Sequence, residues 1–204
     1  MTQASPSSGR LIVIEGIDGT GKSTQAKLLA NWLESIGHTT KVSREPTDGP
    51  WGKRLRESAN CGRLTPEDEL EYFLKDRRQH VTETILPAIA DGKIVILDRY
   101  YFSSMAYQGI RGLDPAMIRR KNEEFAPVPD LLLVLDLDVD TAVTRIGNRG
   151  DQANEFEQRE ALQRCRDLFL QLANEPFARQ IDSAAGMDEV SQKIRKAVSE
   201  ALSL

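Results

Sequence analysis

Residues 16–23 have the composition and spacing of a phosphate-binding loop. They read Gly-Ile-Asp-Gly-Thr-Gly-Lys-Ser and match the pattern G-x-x-x-x-G-K-[ST] at every fixed position. Glycines let backbone N–H groups turn inward around a polyphosphate, and the following helix adds the positive end of its dipole. Lys22 is expected to reach the terminal phosphates and Ser23 a magnesium ion. The sequence predicts nucleotide contacts from Gly16, Ile17, Asp18, Gly19, Thr20, Gly21, Lys22, Ser23 and Thr24.

An acid beside an arginine follows a second apolar run, at residues 94–97. In open α/β sheets, ligands bind at the carboxyl ends of the strands, which is where Asp98 and Arg99 would lie. We predict that Asp98 helps to hold hydrated magnesium and that Arg99 clamps a phosphate, although the two could form only a surface salt bridge. Asp136 ends another apolar run and is a second candidate for the metal site. Asp98 is favoured because an arginine adjoins it.

A helical stripe in the middle of the chain contains an arginine among apolar residues. Its members recur at helical spacing: Leu70, Phe73, Leu74, Arg77, Val81 and Ile85. Phe73 and Arg77 lie one turn apart, so a flat base could stack on the ring while the guanidinium donates to its edge. In the alternative interpretation, Phe73 belongs to the core and Arg77 extends to solvent. Further side chains with helical spacing could line the same cleft: Ser103, Ser104, Tyr107 and Gln108.

The segment 145–157 is polar, poor in apolar residues, and contains Arg145 and Arg149. We predict a mobile lid, because arginines that close over a nucleotide can neutralise the charge of a transferring phosphoryl group. The alternative is a connecting loop without a functional role. Arg54, Arg56 and their basic neighbours could hold a second phosphate or form a solvated face.

The elements that must position these groups alternate between strand and helix. Apolar runs at 11–14, 94–97 and 131–135 predict buried strands, and 39–43 and 179–182 predict weaker ones. Helical patterns separate them, and Thr65-Pro66 has the composition of a helix start. We expect five parallel strands covered by helices on both faces.

Composition favours one domain over residues 10–204, preceded by a disordered tail at 1–9. The net charge of −4 argues against a nucleic-acid polymer as partner and favours a small anionic ligand. No apolar run approaches the ~20 residues of a membrane span, and the start lacks a signal-peptide core, so we expect a cytoplasmic protein. Cys61 and Cys165 have no metal-ligand spacing and are expected to be free thiols.

Taken together and in order, these motifs resemble the thymidylate kinases, within the P-loop nucleoside monophosphate kinases. The resemblance covers nearly the whole chain and is carried by Glu15-Gly16-Ile17-Asp18-Gly19, Arg44-Glu45-Pro46, Phe73 with Asp76-Arg77-Arg78, Asp98-Arg99-Tyr100 and Ala106-Tyr107-Gln108. It implies a three-layer P-loop NTPase fold, ATP with Mg²⁺ as phosphoryl donor, and phosphorylation of dTMP to dTDP on the way to dTTP. It also implies a homodimer.

The resemblance implies roles for individual residues. Asp18 would receive the sugar 3′-hydroxyl, Phe73 would stack on thymine, and Arg77 would bond its carbonyl edge. Ser104 and Gln108 would lie near the base, and Tyr107 would lie against the deoxyribose. Arg99 would clamp the acceptor phosphate, with Arg44 close to it. Arg145 would pack on the adenine. Gly19 resembles the bacterial subgroup whose catalytic arginine comes from the lid. The predicted catalytic cations are Lys22, Arg99 and Arg149.

The chain departs from the family after Arg44-Glu45-Pro46, where Gly-Gly-Thr is usual and 47–51 reads Thr-Asp-Gly-Pro-Trp. The acceptor-phosphate loop is therefore expected to differ, which leaves open a kinase of another nucleoside monophosphate such as dUMP. A P-loop switch that binds partners instead of making a product is a rival of another class. It would need an Asn-Lys-x-Asp guanine-reading motif, and the sequence contains none.

Overall fold

The computed structural model describes residues 9–62, 64–147 and 155–203. The five expected strands form there: β1 (Arg10–Glu15), β2 (Thr40–Arg44), β3 (Ile94–Asp98), β4 (Leu131–Asp136) and β5 (Ala178–Asp182). Every residue of β3 is buried, whereas the edge strand β2 is partly exposed. Strands covered on both faces are apolar along their length, which is why the inner strands gave the stronger sequence signal.

The strands make one parallel sheet in the order β2-β3-β1-β4-β5. After β1 the chain builds β2 and β3 on one side, and it then crosses to add β4 and β5 on the other. This reversal beside β1 is the topological switch point at which α/β sheets bind ligands. The fold therefore brings the phosphate loop after β1 next to the residues that follow β3.

The helices begin and end close to their sequence signals. They are α1 (Lys22–Ser35), α2 (Pro50–Cys61), α3 (Pro66–His80), α4 (Leu86–Ala90), α5 (Tyr101–Gly109), α6 (Pro115–Glu123), α7 (Val139–Gly147), α8 (Glu155–Leu172) and α9 (Met187–Leu202). The Thr65 hydroxyl caps α3 by accepting from the Asp68 N–H, and Asp114 caps α6. A π-helical turn, Val81–Ile85, joins α3 to α4, whose second residue is Pro87, which has no N–H to donate.

Two hydrophobic cores lie on opposite faces of the sheet. The larger core packs α3, α5, α6 and α8 on one face, and the smaller packs α1 and α9 on the other. Leu97 and Ile96 are neighbours in β3 and belong to different cores, as the alternation of side chains along a strand requires. The three-layer α/β fold predicted from the sequence is confirmed.

Some boundaries differ from the sequence predictions. Gly9, part of the predicted tail, is buried so closely that a Cβ there would lie 2.4 Å from the Ile89 carbonyl oxygen. Residues 1–8 lie outside the described residues, as do 148–154 of the predicted lid. Arg145, the first residue of that lid, belongs to the end of helix α7. Within the described part of the chain, no helix is both long and apolar enough to cross a membrane.

Candidate active site

The phosphate loop can close tightly only because glycine stands at its turns. Gly16 has φ +142° and Gly19 has φ +89°, and a Cβ on them would lie 2.4 Å from the Leu135 oxygen and 2.9 Å from the Ala142 oxygen. The loop borders a cavity of about 140 Å³ lined by Asp18, Gly19, Gly21, Lys22, Ser23, Thr24, Asp98 and Arg99. The Ile17 side chain is buried in the larger core, so a nucleotide contact from this residue would be made by its backbone.

Lys22 is buried within its own loop and does not extend to solvent. Its Nζ donates to the carbonyl oxygens of Gly16 at 3.0 Å and Ile17 at 2.8 Å. Burial, and then the positive charge of Arg99, lower the pKa of this ammonium to about 8, against the attraction of nearby carboxylates. The lysine is therefore held in position beside the cavity before any ligand arrives.

Ser23 and Asp98 meet at the base of the same cavity, where the serine hydroxyl donates to the carboxylate. Mg²⁺ in nucleotide sites takes one or two protein oxygens and completes its octahedron with water and phosphate, so this pair fits the ion. The second candidate, Asp136, accepts instead from Arg166 Nε at 2.7 Å and Gln180 Nε2 at 3.1 Å. Asp136 is thus occupied in joining β4 to α8 and β5.

Arg99 stands at the centre of the site in an unusual backbone conformation. Its φ is +72°, one of two positive values at non-glycine residues in the described chain. Its Nη1 donates to the Ser103 hydroxyl at 3.0 Å and its Nη2 to Asp18 at 2.5 Å. Burial alone would raise the pKa of Asp18, but the Arg99 and Lys22 charges outweigh it and hold the pKa below its usual value. Strain of this kind persists at sites whose surroundings over-determine the geometry.

A second cavity, of about 200 Å³, adjoins the first. Seven predicted substrate residues line it, together with Glu45, Pro46, Tyr100 and Ser103; the seven are Asp18, Phe73, Arg77, Arg99, Ser104, Tyr107 and Gln108. Because Asp18 and Arg99 line both cavities, a ligand in one would meet a ligand in the other at these two side chains.

Arg77 forms the floor of this second cavity and does not extend to solvent as the alternative interpretation proposed. It is 1% exposed, and its Nε donates to Glu45 at 2.7 Å, its Nη1 to Asn122 at 2.6 Å and its Nη2 to Ser104 at 3.2 Å. The other Glu45 oxygen lies 3.0 Å from His80 Nδ1. An arginine has five N–H groups, so two donors remain for a ligand.

Gln108 also has a fixed orientation. Its Nε2 donates to Glu69 at 2.9 Å, and Glu69 is held in turn by Arg111 Nη1 at 2.5 Å. The Gln108 oxygen has no hydrogen-bond partner among the described residues. A carboxylate only accepts, so the amide must keep its nitrogen toward Glu69 and its oxygen free as an acceptor.

Arg44 does not join the other predicted substrate residues. It is exposed and pairs with Asp48 at 3.0 Å, and Asp48 also pairs with Arg56. The departure from the family pattern is accommodated by Thr47, whose N–H and hydroxyl both donate to the Asp76 carboxylate, at 2.8 and 2.6 Å. The loop that differs in sequence is thus tied to α3 beside the second cavity.

Comparison with known proteins decides the family. The family described as thymidylate kinase matches residues 14–194. The thymidylate kinase of Akkermansia muciniphila is 53% identical over 191 residues, covering 94% of this chain and 92% of that protein. The thymidylate kinase of Xanthomonas campestris is 50% identical over 194 residues, covering 95% of this chain and 85% of that protein. That of Xylella fastidiosa is 48% identical over 194 residues, covering 95% of this chain and 88% of that protein. The chain belongs to the thymidylate kinase family. It is an ATP-dependent transferase of the nucleoside monophosphate kinase class.

Several residues of this thymidylate kinase site were missed by sequence reasoning. They are polar side chains that hold the predicted residues in place: the buried Glu15, Glu45, Glu69 and Asn122, and the half-buried Ser103. In the sequence, Glu15 and Glu45 are recognisable only as parts of motifs, and Ser103 only as a residue that could line the cleft. Asn122 stands in a run of charged residues, which gave no signal of burial.

Arg145 lies at the rim, at the end of α7. Its guanidinium donates to the carbonyl oxygens of Gly19, Ser183 and Ala184 at 3.2–3.3 Å. It thereby joins the phosphate loop to the loop after β5. Arg149 lies outside the described residues.

Removing Glu45 is expected to destabilise the fold strongly. Glu45→Ala leaves the buried Arg77 guanidinium without its carboxylate, and loss of one partner of a buried pair costs about 3–5 kcal/mol. We expect the free energy of unfolding in urea to fall by that amount. The control is Asp48→Ala, which breaks two exposed pairs and should cost under about 1 kcal/mol. Equal effects of the two changes would contradict a buried charge network.

The lowered pKa of Lys22 predicts that nucleotide binding is linked to protons. Polyphosphate stabilises the ammonium, so above pH 8, where a growing fraction of free enzyme carries neutral Lys22, MgATP binding should take up a proton. At pH 6 the lysine is already charged and should add none. Calorimetry in buffers of different ionisation enthalpy measures this uptake. Lys22→Arg keeps its charge throughout, so an unchanged uptake in that variant would refute the assignment.

Proposed function

We propose that the chain phosphorylates dTMP, as its family does, and that donor and acceptor meet at Asp18 and Arg99. One observation carries the proposal: these two side chains line both the phosphate-loop cavity and the cavity floored by Arg77. ATP phosphates in the first cavity and dTMP in the second would bring the two reacting phosphates together there. A switch protein has no need of a second cavity at the end of its phosphate loop.

The second cavity supports a pyrimidine with a carbonyl at position 4. Phe73 offers a ring for stacking, and the two remaining donors of Arg77 suit the carbonyl oxygen. The fixed Gln108 oxygen suits the N–H at ring position 3, with Ser104 beside it. Cytosine presents the opposite pattern of donors and acceptors at these positions. Tyr107 and Asp18 face the sugar.

The phosphoryl transfer itself needs charge neutralisation and alignment more than covalent help. The attacking phosphate oxygen is already ionised at neutral pH, so no general base is required. Lys22 and Arg99 supply fixed positive charge at the junction of the cavities, and Arg149 supplies more from the lid. Ser23 and Asp98 would hold Mg²⁺, which when bound neutralises and orients the phosphates of ATP. The acceptor side would have Arg44 available at its outer edge.

We further propose that the protein is a cytoplasmic homodimer with no nucleic-acid polymer or membrane partner. The family resemblance supports the dimer, and the acidic net charge of −4 supports a small-molecule substrate.

A substrate panel tests the function. Coupled ADP release with MgATP is expected to be fastest with dTMP, slower with dUMP, which lacks only the 5-methyl group, and at least about a hundredfold slower with dCMP. Free thymidine, which lacks the acceptor phosphate, should give no turnover. Comparable rates on dCMP and dTMP would overturn the base assignment, and no activity on any monophosphate would overturn the function.

Arg149 is expected to act mainly in the transition state. Gly19 leaves the phosphate loop without a cation at that position, so charge must come from the lid. Arg149→Ala should lower kcat roughly a thousandfold, the lower end of arginine-finger effects, with little change in ATP affinity at equilibrium. Arg145→Ala is the matched control: loss of a residue on the adenine side should raise the KM for ATP and spare kcat. A wild-type kcat for Arg149→Ala would remove Arg149 from the mechanism.

A further inference from the structure

We infer that Glu15 is a positioning residue for phosphoryl transfer, because it fixes the Ser103 hydroxyl so that this hydroxyl can only accept from Arg99. The inference rests on the proposed function, which supplies the role of Arg99. Glu15 would not touch either substrate.

Glu15 makes an unusually complete set of contacts for a buried acid. It is 0% exposed at the end of β1, and its Oε1 accepts from the N–H groups of Tyr100 at 2.8 Å and Ser103 at 3.0 Å. Its Oε2 accepts from the Ser103 hydroxyl at 2.7 Å. Helix α5 has no capping side chain of its own at Tyr100, so the Glu15 carboxylate, at the end of β1, accepts from N–H groups at the start of this helix.

The charge state of Glu15 follows from what surrounds it. The pKa of this carboxyl is raised by burial, and the charge of Arg99 and the hydrogen bonds that the carboxyl accepts offset part of that rise. Two backbone N–H groups point at one of its oxygens, and these groups can only donate. This arrangement stabilises the ionised form, which accepts at both oxygens.

The direction of the remaining hydrogen bonds follows from the chemistry of the groups. A hydroxyl has one hydrogen, and Ser103 gives it to Glu15, because an ionised carboxylate can only accept. The lone pairs of the hydroxyl are then left for Arg99 Nη1 at 3.0 Å, and a guanidinium can only donate. The chain Glu15–Ser103–Arg99 therefore has a single consistent orientation.

The same contacts explain how Arg99 keeps a positive φ. Its own N–H donates to the Ile14 oxygen at 3.0 Å, and the next residue, Tyr100, donates to Glu15. The backbone on both sides of the strained residue is thus bound to the end of β1. The guanidinium is fixed at Nη1 by Ser103, and its Nη2 donates to Asp18, whose side chain is 55% exposed.

Glu15→Gln tests the inference by a change of one atom. The carbonyl of the introduced amide must take the Oε1 position, where two N–H groups point at it, so the NH₂ group faces Ser103. The hydroxyl must then accept from that NH₂ group, and it loses the acceptor that held its hydrogen, so its lone pair is no longer fixed on Arg99. We expect kcat with dTMP to fall about 10- to 100-fold, the effect of one lost charge-assisted hydrogen bond, with an unchanged equilibrium affinity for ATP.

A double-mutant cycle separates positioning from a general structural role. Ser103→Ala removes the intermediary and should also lower kcat about 10- to 100-fold. If Glu15 acts through Ser103, Glu15→Gln in the Ser103→Ala background should change kcat by less than about threefold. Losses that multiply in the double variant would overturn the inference, as would a wild-type kcat for Ser103→Ala, a variant that is informative even if Glu15→Gln does not fold.

Failure of the proposed function and failure of the role of Glu15 give different results. If the wild-type enzyme phosphorylates no monophosphate, the proposed function fails. If it phosphorylates dTMP and the double variant shows multiplied losses, only the role of Glu15 fails. Glu200→Gln makes the same chemical change at an exposed position of α9, where the acid pairs only loosely with Lys196 at 4.0 Å. It should keep full activity and controls for handling of the variants.

Discussion

The buried carboxylate of Glu15 ties the two catalytic segments of this fold to each other. It ends β1 immediately before the phosphate loop, and it accepts from the N–H groups of Tyr100 and Ser103 in the segment that follows β3. Strands β1 and β3 are neighbours in the sheet, so their carboxyl ends already lie side by side. Glu15 adds hydrogen bonds from the end of β1 to Tyr100 and Ser103, on the C-terminal side of Arg99. A buried acid of this kind is tolerable only because each of its oxygens is hydrogen-bonded.

The acceptor half of the site depends on a second buried charge. Arg77 lies beneath the second cavity with Glu45, Asn122 and Ser104 as partners. A guanidinium without them would be costly in this apolar surrounding, and with them it is rigid. In the proposed recognition of thymine the rigidity would matter, because a donor that cannot turn away discriminates against a base that also presents a donor. Gln108, held by Glu69, gives the complementary acceptor in the same way.

The sequence could predict the strands, the phosphate loop and most of the side chains that line the two cavities, because those follow from periodicity and fixed spacing. It could not predict the partners of those side chains. Asn122 lies 45 positions from Arg77, and the residues beside it in the sequence are charged. Only the packing of α6 against α5 shows that it is buried. The sequence predicts a loop at Arg145 because Gly147 and a polar run follow it. The structure has a helix there instead, because the Arg145 guanidinium donates to three carbonyl oxygens in neighbouring loops and so stabilises the last turn of α7.

The two ends of the Arg99 guanidinium differ in what holds them, and this difference suits a group that must exchange partners. Ser103 holds Nη1, and the Ser103 hydroxyl is held in turn by the buried Glu15. Asp18 holds Nη2 at the surface of the cleft. In the proposed function, an arriving phosphate, which carries more charge than Asp18, would replace it at Nη2 and free the carboxylate for a sugar hydroxyl. On this proposal Arg99 would exchange its partner at Nη2 while Ser103 keeps Nη1, so its strained backbone would not have to relax.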